Sequence, residues 1–168
     1  EIGHQDRDFW AFQGPFETFL YLDADTIVVK SLMPLAKRLS TQQGDFVAIQ
    51  DWVDDDTWRL VTQDPAHPDH TKYRQTIARD IGIGPLAEFD PEHDFFAHKP
   101  FNSGVFAGSR LAIKDSDLAA LNKAERNFYR DALGIGEWTW KSSELFFRDQ
   151  GRLNYLVRKL SIPTLPLE

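Results

Sequence analysis

Three short stretches of this chain hold residue types that can do chemistry in concert. In "YLDADTIVVKSL", residues 21–32, Asp23 and Asp25 stand one residue apart at the end of an apolar run. Paired carboxylates are natural ligands for a hard divalent cation, which prefers oxygen donors. If a strand continues through them, alternation turns Asp23 and Asp25 to one face and Ala24 to the other. In "FNSGVFAGS", residues 101–109, Asn102 offers an amide that both donates and accepts, and Gly104 lets a ligand approach the backbone. Ser103 lies between them. In "DQGRLNYL", residues 149–156, Asp149 and Gln150 pair a carboxylate with an amide. That combination can orient a polar substrate and stabilise positive charge growing on it. Asp51 closes another apolar stretch, on the strand end expected to neighbour the Asp-x-Asp. Each stretch alone has a plainer explanation: a turn-capping acid pair, an Asn-Ser turn, an acid in a surface helical turn. Their order along one chain is what carries weight.

The elements that must position these residues read as α/β. "TFLYL", 18–22, is apolar and aromatic throughout, which predicts a strand buried on both faces. "SLMPLAKRLST", 31–41, has apolar residues at 32, 35, 36 and 39, a helical face, with Pro34 tolerated in the first turn. "DFVAIQ", 45–50, is a second buried strand. Strand, helix and strand in that order predict a βαβ unit, with a parallel pair and a right-handed crossover. Residues 4–14 read as a short helix ended by Gly14 and Pro15, "DWVDDD" as an acidic loop, "DPAHPDH" as a second loop, and 71–82 as a helix ending at Gly82. Residues 101–109 make the third strand, and 115–133 an amphipathic helix capped by Asp115 or Ser116. A last helix lies in 143–160, followed by an extended "IPTLP". No repeat or linker divides the chain, so residues 1–168 read as a single domain.

Composition narrows the partners. With 168 residues, 42% of them hydrophobic and 13% aromatic, the chain can bury a substantial core. A net charge of -7 and a pI near 5.2 argue against nucleic acid, whose phosphates recruit basic faces. An anionic ligand on so acidic a chain calls for a bridging cation. There is no cysteine and hence no disulfide. No apolar run can span a bilayer and no signal peptide is visible; the expected location is the cytoplasm, with membrane association through segments outside this sequence left open. The chain opens on polar "EIGHQDRD" and ends in "IPTLPLE", whose Leu167-Glu168 suits a natural end and a tag scar equally. It reads as a piece of something longer.

Two enzyme classes end a strand in Asp-x-Asp. "LDADTIV" resembles the opening motif of the haloacid dehalogenase superfamily, in which the first Asp attacks phosphate. "GDFVAIQD", 44–51, offers a later acid, but it follows too soon for the intervening strands, and Thr26 stands where that motif has Gly. Taken together, the three stretches resemble the GT-A glycosyltransferases over residues 16–160, most closely the glycogenin-like and galactosyltransferase-like group known as family 8. In that group a strand delivers Leu-Asp-x-Asp, a later strand carries Asn-Ser-Gly or Asn-Ala-Gly, and a helix begins with Asp-Gln.

The resemblance implies a GT-A, Rossmann-like fold with a mixed, mainly parallel sheet flanked by helices. It implies metal-dependent transfer of a sugar from a nucleotide-sugar, with UDP the family expectation, to a carbohydrate or glycolipid acceptor, with retention of configuration. By the same likeness Asp25 binds Mn²⁺ or Mg²⁺, Asp23 shares the metal and touches the ribose, and Ala24 leaves room for it. Asn102, Ser103 and Gly104 would contact the sugar, Asp51 would lie near the acceptor, and Asp149 with Gln150 would orient the transferred ring. Trp138 and Trp140 could stack on an acceptor, though such a pair reads more readily as packing. The family's third metal ligand is a His in a His-x5-Lys-Pro-Trp pattern after the Asp-Gln helix. "HDFFAHKPF", 93–101, has that spacing but comes before the Asn-Ser-Gly, and reads as coincidence in a loop. The family's base-binding βαβ would precede residue 16. A sheet without it exposes an edge strand through which two copies can pair, and these residues alone are expected to transfer little sugar. A non-catalytic GT-A-like binding module stays open beside both enzymes.

Overall fold

One strand decides the sheet. In a computed structural model, which describes residues 4–41, 46–50, 53–80, 89–110, 112–133 and 149–166, β3 (Phe101–Ser109) lies between β1 (Thr18–Leu22) and β2 (Phe46–Gln50). It runs antiparallel to both, pairing Leu22 with Val105 on one side and Val47 with Ala107 on the other. β4 (Thr164–Pro166) adds parallel to β2, giving the order β1-β3-β2-β4. The expected parallel pair of β1 with β2 is therefore not formed. The mainly parallel sheet is corrected to a mixed one in which antiparallel pairing predominates. The physical reason is that each strand has two hydrogen-bonding edges, and a strand arriving later can take the place between two earlier ones. β3 suits that place: Phe101, Phe106, Ala107 and Gly108 are all buried.

Both faces of the sheet are covered. On one, α1 (Met33–Thr41) buries Leu35 and Leu39 against Val47 and Ala107, with Leu20 alongside. On the other, a 3-10 helix at His4–Gln13 brings in Phe9 and Phe12. Phe12, Phe46 and Phe106 stack there at centroid separations of 6.3, 5.9 and 5.5 Å. Each fully buried Phe contributes about 2–3 kcal/mol through area removed from water. A Cβ on Gly108 would meet Phe12, Phe19 and Phe46 at 3.4–3.6 Å, so its lack of a side chain makes room for the rings. β1 is half-buried along its length rather than buried on both faces, because it is an outer strand of the described sheet.

The helices agree with the sequence in part. α4 (Asp115–Leu133) forms as expected, although its start is secured by Lys114 N–H donating to Asp117 Oδ2 rather than by a cap at Asp115 or Ser116. α5 (Asp149–Lys159) occupies the described part of the last predicted helix. A buried ion pair joins the two, Arg152 Nε to Glu125 Oε2 at 3.5 Å, and Arg152 also donates to Asn122 Oδ1. The acidic stretch at 51–56 was expected to be a loop, yet α2 (Asp55–Gln63) begins inside it. Asp54 caps that helix, accepting from Thr57 N and Oγ1 at 2.8 Å each, which holds its carboxyl below the ordinary range. Asp55 and Asp56 then lie in the first turn, where the helix dipole favours acids. At the other end, Pro65 has no N–H to offer Val61 O. His70 Nε2 at 3.1 Å and Arg74 NH1 at 3.3 Å, both from α3 (His70–Asp80), take that carbonyl instead. Gly82, Trp138 and Trp140 lie outside the described residues. No described helix is long and apolar enough to cross a membrane.

Candidate functional site

Asp23 extends the β1 ladder by one residue, its N–H donating to Gly104 O at 2.8 Å. Alternation places its side chain on the face of Phe19 and Tyr21. The Tyr21 ring stacks on buried Phe106 at 4.7 Å, and its hydroxyl donates to Asp23 Oδ1 at 2.9 Å. Across the ladder, Asn102 folds back so that its Oδ1 accepts from Gly104 N–H at 2.7 Å. Asp23 Oδ2 and Asn102 Oδ1 consequently overhang the same point: a Cβ on Gly104 would lie 3.0 and 2.9 Å from them. Here glycine is needed because two oxygens occupy the space a side chain would fill. The strand is also irregular at this spot. Ala48 pairs with Phe106 but Gln50 pairs with Phe101, so β3 accommodates extra residues against β2 while its pairing with β1 stays regular. Such bulges re-aim side chains beside sites. Ser103, within the irregularity, is buried, leaving Asn102 and Gly104 as the members of that motif nearer the surface.

Directly after Asp23 the chain turns. Thr26 N–H donates to Asp23 O at 2.9 Å, closing a tight turn with Ala24 and Asp25 in its middle. The expected alternation from Asp23 through Asp25 is thus corrected: the strand ends at Leu22, and the turn carries the second carboxylate. An Asp in the first position of such a turn is favoured on local grounds. Asp23, Ala24 and Asp25 are all exposed.

The third motif reaches the same strand through a clamp. Asn154, buried on α5, accepts from Phe101 N–H at 3.0 Å and donates to Phe101 O at 2.9 Å. Its Nδ2 also donates to Gln150 O at 2.9 Å, so the first turn of α5 and the residue before Asn102 share one donor. Asp149 Oδ1 accepts from Gln150 N–H at 2.7 Å, which serves the start of the helix without any substrate. Asp149 is exposed and Gln150 half-buried. Asp51 lies outside the described residues.

Beside α5, Asp90, Tyr155, Lys159 and His93 bond or pack among themselves. Asp90 accepts from Lys159 Nζ at 2.7 Å and from Tyr155 OH at 3.0 Å. The lysine bond holds the Asp90 carboxyl below its ordinary range, and burial raises the Tyr155 hydroxyl. His93 packs edge-on against Phe95 and Tyr155 at 4.5 and 5.4 Å, and burial pulls its imidazole below the usual value. Residues 90–100 are turns, as expected of the out-of-place histidine motif. An open cleft of 620 Å³ lies between α3 and residues 91–96, and an apolar groove of 610 Å³ lies beside Leu20, Leu22 and Val105. Neither takes in Asp23, Asn102 or Asp149.

Among the described residues, no three His, Asp or Glu side chains are grouped as metal ligands. Asp23 and Asp25, with Asn102 Oδ1 beside Asp23, supply oxygen donors alone. That set suits Mg²⁺ or Mn²⁺, which are often held by one or two carboxylates while substrate phosphates and water complete the shell. Two residues of the site escaped the sequence reading. Their signal is positional: Tyr21 stands two residues before Asp23 on a strand, and Asn154 one helical turn after Gln150. The chain matches no protein-family model, no curated protein and no solved structure.

Proposed function

We propose that this chain belongs to the catalytic domain of an enzyme that transfers a sugar, with the help of a metal, from a nucleotide-sugar to a carbohydrate or glycolipid acceptor, on a GT-A-like sheet of the family 8 type. One observation carries the reading. Asp23 and Asn102, from motifs far apart in sequence, meet over Gly104 at a strand end, and the helix that opens with Asp149 is clamped to the adjoining Phe101. Breaking the bond between an anomeric carbon and a diphosphate leaves negative charge on the departing oxygens. A bound divalent cation supplies neutralisation of that charge. Asp23 and Asp25 are the residues that would hold it. Asn102, fixed by its bond to Gly104, keeps its NH₂ group for a sugar hydroxyl, and Gly104 leaves room for the two oxygens that overhang it. Asp149 and Gln150 would face the sugar ring from the helix start.

The test is a titration of Mn²⁺ with UDP and UDP-sugars, in wild type and in Asp25→Ala. Metal-dependent UDP binding that disappears in the variant supports the proposal. Hydrolysis of phosphate esters with an aspartyl-phosphate at Asp23 would replace it with phosphatase chemistry. Indifference to metal and nucleotide in a chain that also carries the base-binding βαβ would refute it in favour of a non-catalytic module.

A further inference from the structure

We infer that Tyr21 is a positioning residue for the metal site, orienting Asp23 so that a cation meets Oδ2 alone. The inference rests on the glycosyltransferase reading above and deepens it. The backbone of Asp23 is fixed at both ends, its N–H on Gly104 O and its carbonyl on Thr26 N–H. Only the side-chain torsions remain free, and the 2.9 Å bond from Tyr21 OH to Oδ1 restrains them. That hydroxyl is itself held in place, because the Tyr21 ring lies nearly parallel to the buried Phe106 ring, 4.7 Å away at 21°. Packing accounts for the ring but not for the hydroxyl. Asp23 is exposed, so water could satisfy its Oδ1 as well as a phenol does. What the bond adds is direction: with Oδ1 engaged, Oδ2 is the oxygen left over Gly104 beside Asn102 Oδ1. Partners that orient a metal-ligating carboxylate in this way commonly matter about 10–100-fold to metal affinity.

Tyr21→Phe keeps the stacked ring and deletes the hydrogen bond. Calorimetric titration of Mn²⁺ in the presence of UDP, alongside a thermal melt, reads the two roles separately. The expected result is a melting point equal to wild type and a Mn²⁺ affinity about tenfold weaker or more, with metal-free UDP binding unchanged. Wild-type Mn²⁺ affinity in Tyr21→Phe, when Asp23→Ala has lost it, would overturn the role of Tyr21 and leave the donor reading standing. A large fall in melting point would assign the hydroxyl to the fold instead. If a wild-type chain that also carries the base-binding βαβ binds no Mn²⁺ with UDP, both the donor reading and this inference fail together.

Discussion

Gly104→Ala should separate folding from binding. The added methyl would stand 2.9 Å from Asn102 Oδ1 and 3.0 Å from Asp23 Oδ2, where ordinary contact begins near 3.4 Å. Both oxygens must then retreat by about half an ångström, because the methyl is anchored on the strand. For Asn102 that movement strains the 2.7 Å bond it accepts from Gly104 N–H, worth about 0.5–1.5 kcal/mol. Against this, replacing a strand glycine by alanine returns about 0.5–1 kcal/mol of backbone entropy. The two nearly cancel, so stability should change by under about 1 kcal/mol, or roughly 2–4 °C in melting temperature for a chain of this size. Binding has no such compensation. Displacing two convergent oxygens disturbs the donor site at the point where sub-ångström placement counts, and about a tenfold to hundredfold loss of Mn²⁺-dependent UDP affinity is expected. A thermal melt and a Mn²⁺–UDP titration on the same sample decide the matter. Wild-type affinity in the alanine variant would refute the geometry, and so would a collapse of the melting temperature by tens of degrees.

The other expectations concern the clamp, the acids and pH. Asn154→Leu should orphan buried Phe101 N–H and C=O, costing about 3 kcal/mol and on the order of 10 °C in a melt, a change Asn102→Ala should not reproduce. Asp23→Asn and Asp25→Asn should each weaken Mn²⁺–UDP binding with little effect on melting, since both acids are exposed; equal affinity in either variant would remove that acid from the site. His93 in the folded chain holds its proton less tightly than the ordinary 6.5, so the unfolded state gains the proton first and stability is lost as pH falls below about 6.5. Asp90 is depressed below 3.8 by Lys159, so its contribution is present above that value and lost as pH falls through the folded one. Melts from pH 8 to 3 should therefore show two descending steps, and His93→Gln should flatten the upper one.

Local physics was legible in the sequence. The helix over 115–133 and the strand over 101–109 follow from periodicity and side-chain type, which depend on neighbours a few positions away. The cap at Asp54 was equally local and was misread, since an Asp followed three residues later by Thr57 is a helix start as well as an acidic loop. The chemistry of Asp23, Asp25, Asn102 and Asp149 was visible as residue types in order along the chain. Only the tertiary structure decided that β3 runs antiparallel between β1 and β2, and so sets Gly104 beside Asp23. Only it revealed Tyr21 holding Asp23, and Asn154 fastening α5 to Phe101. The reason is physical: a strand carries two identical rows of donors and acceptors, and nothing in its own residues says which distant segment will occupy each row.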